Sequence, residues 1–392
     1  MAEPWLSIIG LGEDGPDGLS AASRLALNAA EIVFGAPRHL ALAAVAGVTW
    51  EVPFAVAPVL AERGKKVAVL ASGDPFWHGA GGSLVGHLTP GEWVSYPAPS
   101  TFALAANRLG WRLEAAVCLG LHAAPLSRLR GILARGQRVI CLVRDGAAVA
   151  ELAAYLTAQG FGLSDLHVLE HLGGPLERYV RVIAQHADTA TFYAPVAVAV
   201  ECVGRGIPRA SGLPDDLFDH DGQITKRAVR ALTLSAIAPR GGEVFWDLGA
   251  GSGSVSIEVL LCAPGSLAHA VEADAGRAAC ARRNAESFGV AHRWQLHQGY
   301  AIDIIPELPS PDVVFVGGGA SEALVQAVWT ALPPGARLVI NVVTLETEAL
   351  LYGWQAAKGG QLLRIDLAEA GALGSKRGWQ AARPIVQWSV AK

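Results

Sequence analysis

The chain is poor in charge and poor in cysteine, and each shortage excludes something. Asp, Glu, Lys and Arg make up only 17% of its 392 residues, and the formal charge is −4. A nucleic-acid backbone is therefore not expected as a partner, because neutralising phosphates takes a clear Lys/Arg excess. The five cysteines, at 118, 141, 202, 262 and 280, form no C-x-x-C pair and no His/Cys cluster at metal-ligand spacing. No metal site is expected; the thiols read as small buried apolar residues in a reducing compartment. No basic stretch precedes the first apolar run, so no secretory leader is expected. No apolar run of spanning length lacks a charge or a breaker, so the expectation is a soluble cytoplasmic protein with no membrane contact. What is abundant is apolar residues, at 52%. That supplies ample buried surface, and the length suggests two or three domains.

Short apolar runs alternate with helical patterns from end to end, which predicts α/β architecture with mostly parallel sheets. Strands are expected at Trp5–Gly10, Val67–Leu70, Arg138–Val143 and Val196–Val200. Helices are expected at Leu19–Ala30, with Ser20 capping, at Phe102–Leu109, with Ser100 capping, and at Val149–Leu156. A break falls near Leu126–Gly136. The main boundary lies in Gly204–Pro214, where two prolines and three glycines exclude regular structure. The division is therefore 1–205 and 206–392.

The most informative segment follows that boundary. Val244-Phe245-Trp246-Asp247-Leu248 is a β-branched and aromatic run, and Gly249, Gly251 and Gly253 alternate after it. Val255–Leu261 then reads as a helix. Strand, glycine loop and helix begin a nucleotide-binding βαβ unit. A dinucleotide site would place its third glycine at position 254, which is Ser here. G-x-G-x-G suits S-adenosylmethionine (SAM), and the next strand, Leu267–Val271, ends in Glu272, where a carboxylate can accept ribose hydroxyls. The competing reading is a glycine turn that only reverses the chain.

Three further features fit such a site. Gln223-Ile224-Thr225-Lys226 precedes the helix expected at Thr225–Ala238; its polar groups could close over a ligand, or Thr225 could simply cap the helix. Gly299-Tyr300-Ala301 follows the strand Trp294–His297, and a small residue beside an aromatic ring suits a base sandwich. The strand at 312–316 ends in Gly317-Gly318-Gly319, which leaves room for a large flat substrate or forms a flexible loop.

Residues 206–392 resemble the C15-methylating, decarboxylating methyltransferases of the cobalamin pathway. The resemblance rests on Gly212-Leu213-Pro214-Asp215-Asp216, Gly222–Arg227, the glycine loop with Ser254–Glu258, and Asn341–Thr347. It implies a Rossmann-like class I methyltransferase.

In the first half the residues say less by themselves. Gly10-Leu11-Gly12-Glu13-Asp14-Gly15 could be a phosphate loop, but two acids inside it would repel phosphate, and a tight turn is the simpler reading. Gly73-Asp74-Pro75 could place a carboxylate at a sheet edge. Taken with Pro97-Ala98-Pro99-Ser100-Thr101, Gly35–Leu40 and Leu169–Pro175, they resemble the tetrapyrrole (class III) methylases, over about residues 4–203. That family's Gly-x-Gly-Pro-Gly start is absent here. The resemblance implies two α/β halves with SAM held between them by turns that include Gly73, Asp74, Ser100 and Thr101.

Together the resemblances imply two SAM sites per chain, a tetrapyrrole substrate, two carbon methylations, loss of one acetate carboxyl, and self-association. The candidate SAM contacts are Gly249, Gly251, Gly253, Glu272, Gln223, Thr225, Gly299, Tyr300 and Ala301, with Gly73, Asp74, Ser100 and Thr101 for the first half. Candidate substrate contacts are Arg38, His39, Lys226, Arg227, Arg230, Gly317, Gly318, Lys376 and Arg377, the cations because the substrate's carboxylates need partners. Each cation could equally be a solvated surface charge. No residue is singled out as catalytic. The rivals are a nicotinamide dehydrogenase, against which Ser254 counts, an RNA or protein methyltransferase, which would leave residues 4–203 idle, and, for the first half alone, a non-catalytic SAM- or tetrapyrrole-binding module.

Overall fold

The structure is a computed structural model that describes residues 4–50 and 54–392, without the side chains of residues 188 and 189. Residues 1–3, where a leader would begin, lie outside that description. The chain divides into two compact units: residues 1–126 with 133–206, and residues 207–392 with 127–132. The segment expected to be a simple break thus splits, and Ser127–Ile132 groups with the later unit. There the Arg130 guanidinium lies 4.0 Å from the Phe288 ring centre.

The first unit carries two five-stranded sheets. One holds β1 (Leu6–Leu11), β2 (Ile32–Gly35), β3 (Val48–Thr49), β4 (Val67–Ser72) and β5 (Trp93–Tyr96), in the order β3-β2-β4-β1-β5. Every pairing in it is parallel. Its central strands bury almost every side chain, as a parallel sheet covered on both faces requires. The other sheet holds β6 (Ala116–Gly120), β7 (Arg138–Leu142), β8 (Asp165–Glu170), β9 (Arg178–Ile183) and β10 (Val196–Glu201), ordered β6-β7-β10-β8-β9. Only β6 and β7 pair parallel in it; the other pairings are antiparallel. The expectation of parallel sheets fails here because β8, β9 and β10 are not linked by crossover helices. Turn and 3₁₀ connections, such as Ala184–Thr189, join them instead.

The second unit has a seven-stranded sheet. Its strands are β11 (Val244–Leu248), β12 (Leu267–Glu272), β13 (Trp294–Gln298), β14 (Val313–Val316), β15 (Arg337–Val342), β16 (Gln361–Ile365) and β19 (Ile385–Ala391). The order is β13-β12-β11-β14-β15-β19-β16, parallel from β13 to β15 and antiparallel at β19. Strand order reverses beside β11, the switch point where open α/β sheets bind ligands. Between β16 and β19, β17 (Ala368–Leu373) and β18 (Lys376–Ala381) form a separate ribbon.

Alternate residues of the central strands feed two cores. Phe245, Phe315 and Val339 face the helices Arg227–Ile237 and Ser254–Cys262. Trp246, Val314, Leu338 and Ile340 face the helices Glu322–Ala331 and Leu345–Lys358. Both expected caps, Ser20 and Ser100, accept backbone N–H bonds at the starts of their helices. Thr225 does not cap: the helix there begins at Arg227, after Lys226. Of the cysteines, Cys141 and Cys202 are buried, Cys118 and Cys280 half-buried, and Cys262 exposed, which corrects its reading as a buried residue. No helix among the described residues is long and apolar enough to cross a membrane.

Candidate active site

A cleft of about 1070 Å³ runs across the carboxyl ends of the second unit's sheet. Its walls include Gln223, Thr225, Lys226, Gly249, Gly251, Glu272, Gly299, Tyr300, Ala301, Gly317 and Gly318. Eleven candidate residues separated by up to about a hundred positions thus meet in one cavity, because β11–β14 all end there.

The glycines are required by geometry. Gly249 has φ +76°, and a Cβ on it would lie 2.9 Å from the Gly318 amide nitrogen. Two strand ends therefore approach backbone to backbone, which admits no side chain at 249. Gly253 plays a different part from the one expected. It is the N-cap of the helix Ser254–Cys262, packs toward Ala281 and Trp294, and does not line the cleft.

Glu272 ends β12 with only 5% exposure. Its Oε2 accepts from Gly251 N at 2.8 Å and its Oε1 from Asp274 N at 2.9 Å, with Arg277 Nη2 at 3.4 Å. Each carboxylate oxygen keeps lone pairs for ligand hydroxyls. The same bonds tie the glycine loop down, so Glu272 shapes the loop as well as facing the cleft. Arg277 reaches Gln223 Oε1 at 3.2 Å, linking the acid to the segment opposite. Tyr300 is 71% exposed, a ring at the cleft mouth with room to fold over a base. Behind the loop, Asp247 is buried, and its Oδ2 accepts from Ser256 N at 3.2 Å while Oδ1 has no partner. Burial pushes its carboxyl up to about 6, with the charge of Glu272 adding to the effect.

The donor set fits SAM. A buried acid, a loop with only small side chains and an exposed ring lie over β11–β13. The other half of the cleft, over β14, β15, β16 and β19, is lined by Phe315, Val342, Ile365, Leu367, Arg383 and Asn341. The sequence reading missed Arg277 and Arg383, since isolated arginines carry no pattern; Asn341 lay inside a quoted segment without a role.

The other candidate cations do not reach the cleft. Arg230 is fully buried and pairs with Glu258 at 2.6 Å and Asp215 at 3.0 Å. It also donates to the Thr225 and Leu213 carbonyls. Glu258 in turn accepts from Gly212 N and Leu213 N, at 2.7 and 2.9 Å. Arg230 thus holds the Gly212–Asp215 segment in place, and a substrate carboxylate has no path to it. Arg227 donates to the Gly212 carbonyl at 2.9 Å. Lys376 and Arg377 lie exposed on β18, away from the cleft walls.

In the first unit, turns converge at the carboxyl ends of β1 and β4. Gly73 N donates to the Leu11 carbonyl, and Ala98 N to the Gly73 carbonyl, at 3.0 and 3.2 Å. A Cβ on Gly10 would overlap the Gly73 carbonyl oxygen and lie 2.6 Å from Ala98 N. Asp74 Oδ1 accepts from Phe76 N at 2.8 Å, and Ser100 caps the helix Thr101–Leu109. These two side chains order their own turns, and Gly73, Asp74, Ser100 and Thr101 share one neighbourhood. Beside it, Arg38 pairs with Glu13, and His171 Nδ1 lies 3.5 Å from the other Glu13 oxygen. His39 is buried, with Nε2 at 2.8 Å from Ser72 Oγ. Burial first, and the Arg38 charge second, lower its pKa to about 4, so the ring is neutral. The buried ring of His39 supports the turn, whereas Arg38 and Glu13 form a charged pair beside it. Among the described residues, no group of His, Cys, Asp and Glu is arranged to hold a metal.

Comparison with known proteins agrees with this division. Residues 6–188 match the family of tetrapyrrole (corrin/porphyrin) methylases, and residues 216–392 match the precorrin methyltransferase domain. The chain is 44% identical over 403 residues to the precorrin-6Y C(5,15)-methyltransferase [decarboxylating] of Sinorhizobium sp, covering 100% of this chain and 97% of that one. It is 38% identical over 399 residues to the protein of the same name from Mycobacterium tuberculosis (strain CDC 1551 / Oshkosh), covering 98% and 99%. A shorter relative, the probable cobalt-precorrin-6B C(15)-methyltransferase (decarboxylating) of Pyrobaculum calidifontis, is 42% identical over 141 residues, 35% of this chain and 72% of its own. Likeness at this identity over the whole length of both chains places this protein in the precorrin-6Y C(5,15)-methyltransferase (decarboxylating) family.

Proposed function

We infer that this chain methylates a precorrin (precorrin-6B/6Y) at C5 and C15 and removes the ring C acetate carboxyl, giving precorrin-8 in cobalamin synthesis. The first unit acts at C5. The second acts at C15 and carries the decarboxylation. Each unit has its own SAM site. The observation that carries the reading is the second unit's cleft, whose ribose-binding end occupies only part of its length and whose other half is free for a large acceptor.

SAM, when bound, supplies a methyl group on a positive sulfur. Glu272 and the glycine loop hold and orient that donor. The cleft walls would hold the acceptor beside that donor. A conjugated macrocycle supplies an electron-rich carbon, so positioning does most of the work and no strong base is required. For the decarboxylation, Phe315, Val342, Ile365 and Leu367 provide an apolar stretch that strips water from a carboxylate. Lys226 and Arg383 at the rim supply countercharge for carboxylates that stay.

Self-association is part of the same reading and rests on the resemblance alone; sedimentation of the full chain measures it. The decisive test is mass spectrometry of the tetrapyrrole product after incubation with SAM. Gain of two methyl groups and loss of one carbon dioxide is the expected outcome. Gain of a single methyl with the carboxyl retained would overturn the assignment for the second unit.

A further inference from the structure

Asn341 is a polar residue where the sheet asks for an apolar one. It lies near the end of β15, between Ile340 and Val342, and its neighbour in register on β19 is Gln387. A second amide and a hydroxyl join it on the face toward the helix Arg227–Ile237. Asn341 Nδ2 donates to Thr233 Oγ1 at 2.8 Å, and Gln387 Nε2 donates to Asn341 Oδ1 at 2.9 Å. Gln387 is 3% exposed and Thr233 fully buried. Three polar side chains inside an apolar layer cost stability unless they are matched, and isosteric apolar residues would fill the space as well.

The network has one direction. Thr233 Oγ1 donates to the Val229 carbonyl at 2.9 Å, one turn back in its own helix. A hydroxyl has a single proton, so toward Asn341 Thr233 can only accept. That fixes the Asn341 nitrogen toward Thr233 and its oxygen toward Gln387. A flipped amide would set its oxygen against the Thr233 lone pairs. Among the described residues the second N–H of Asn341 meets no acceptor, and Asn341 is part of the cleft wall.

Its place in the sheet selects what it meets. β15 is two strands from β11, which carries the glycine loop, and three from β12, which ends in Glu272. At about 4.8 Å per strand, Asn341 stands roughly 10 Å to the side of the loop and roughly 14 Å from the ribose acid. It stands in the half of the cleft left for the acceptor.

We propose that Asn341 is a specificity-determining residue of the second unit, whose second amide N–H donates to a carboxylate or carbonyl oxygen of the methyl acceptor, and that Thr233 and Gln387 are its positioning residues. The proposal rests on the assignment of this cleft to a polycarboxylate acceptor. A neutral donor is suited to that place. It orients an acid side chain without the charge that would hold an acetate carboxylate against decarboxylation.

The test uses the full chain, with SAM affinity by calorimetry and C15 methylation kinetics by product mass. In Asn341→Leu, SAM should bind within about twofold of wild type while the acceptor KM rises roughly tenfold, the effect of one lost hydrogen bond to a charged group. C5 methylation should be unchanged. Thr233→Val keeps size and removes the acceptor that orients the amide, so it should raise the same KM by a smaller factor and leave SAM affinity alone. It also serves as the probe if Asn341→Leu does not fold. A loss of SAM affinity in step with turnover would place Asn341 on the cofactor and overturn the proposal. So would an unchanged acceptor KM with only a lower melting temperature, the mark of a structural role. A wild-type chain that binds SAM yet makes no C15-methylated product would overturn the function itself, and the proposal with it.

Discussion

The two units build their candidate sites from different materials. In the second, the heart of the candidate site is one strand, one loop and one acid within Val244–Glu272, and the segments at 223–226, 299–301 and 317–318 complete it at the same end of the sheet. Gly251 N donates to Glu272 and Gly249 N to the Val271 carbonyl, tying the loop after β11 to the end of β12. In the first, the corresponding neighbourhood is assembled from turns near residues 10, 73, 98 and 171, with the Glu13–Arg38 pair beside it. The difference is one of contact range. A site built within one βαβ unit is visible as a motif, whereas a site built from four distant turns is visible only by likeness to a family.

The sharpest way to break the comparison is to close each loop separately. Gly249→Val places a side chain against the Gly318 backbone at a positive φ. SAM affinity of the second unit should fall by about a hundredfold or more, with C15 methylation lost and C5 methylation kept. Gly10→Val does the converse, since its Cβ overlaps the Gly73 carbonyl. Calorimetry on the full chain should then show one SAM site, against the two proposed for wild type. Loss of both methylations in either variant would mean that the sites are not independent.

The units should also answer pH with opposite sign. His39 is held at about 4, below its unfolded 6.5, so its contribution is present above pH 6.5 and drains away as pH falls toward 4. Asp247 is held at about 6, above its unfolded 3.8, so the fold is favoured at low pH and loses that advantage as pH rises from 3.8 to 6. Each effect is on the order of 3 kcal/mol over its full window. In urea unfolding between pH 7.5 and 4.5, His39→Gln should flatten the acid loss, and Asp247→Asn should raise stability at pH 7. A pH profile unmoved by either substitution would remove both groups from the account.

Glu272→Ala is the finest cut. A charged acceptor is worth about 1.5–3 kcal/mol, so SAM should bind roughly tenfold to a hundredfold more weakly at the second site. The structure shows the carboxylate holding Gly251 N and Asp274 N, so a fall in melting temperature should accompany it. Glu272→Gln keeps one acceptor oxygen and should fall between the two. Unchanged C15 methylation at limiting SAM would take Glu272 out of the site.

Much of this was legible in advance, for physical reasons. Strands β1, β4, β7, β10 and β11 stood out because buried parallel or central strands are continuous apolar runs bounded by breakers. The glycine loop and Glu272 stood out because a fixed chain spacing translates into a fixed place on the sheet. What was not legible depended on burial. Arg230 reads like any helix-start cation, and only the fold reveals Glu258 and Asp215 beside it. Lys376 and Arg377 carried the right charge in the wrong place, on a ribbon whose position no local pattern encodes. Arg383, a few residues further on, lines the cleft instead. The antiparallel pairing of β8, β9 and β10 was hidden because strand direction is set by connections rather than composition.

The three glycines after β14 are not equivalent, and that offers a handle for redesign. A side chain at Gly317 would press on the Phe315 ring at 2.9 Å, and Gly319 has φ +70°. Gly318 differs: its φ is not positive, and a Cβ there meets nothing within 4 Å. Added bulk at that one position would project into unfilled volume rather than into protein. A graded series from alanine to leucine at 318 would therefore act as an adjustable stop inside the enzyme, trimming the range of molecules it admits while leaving the scaffold intact.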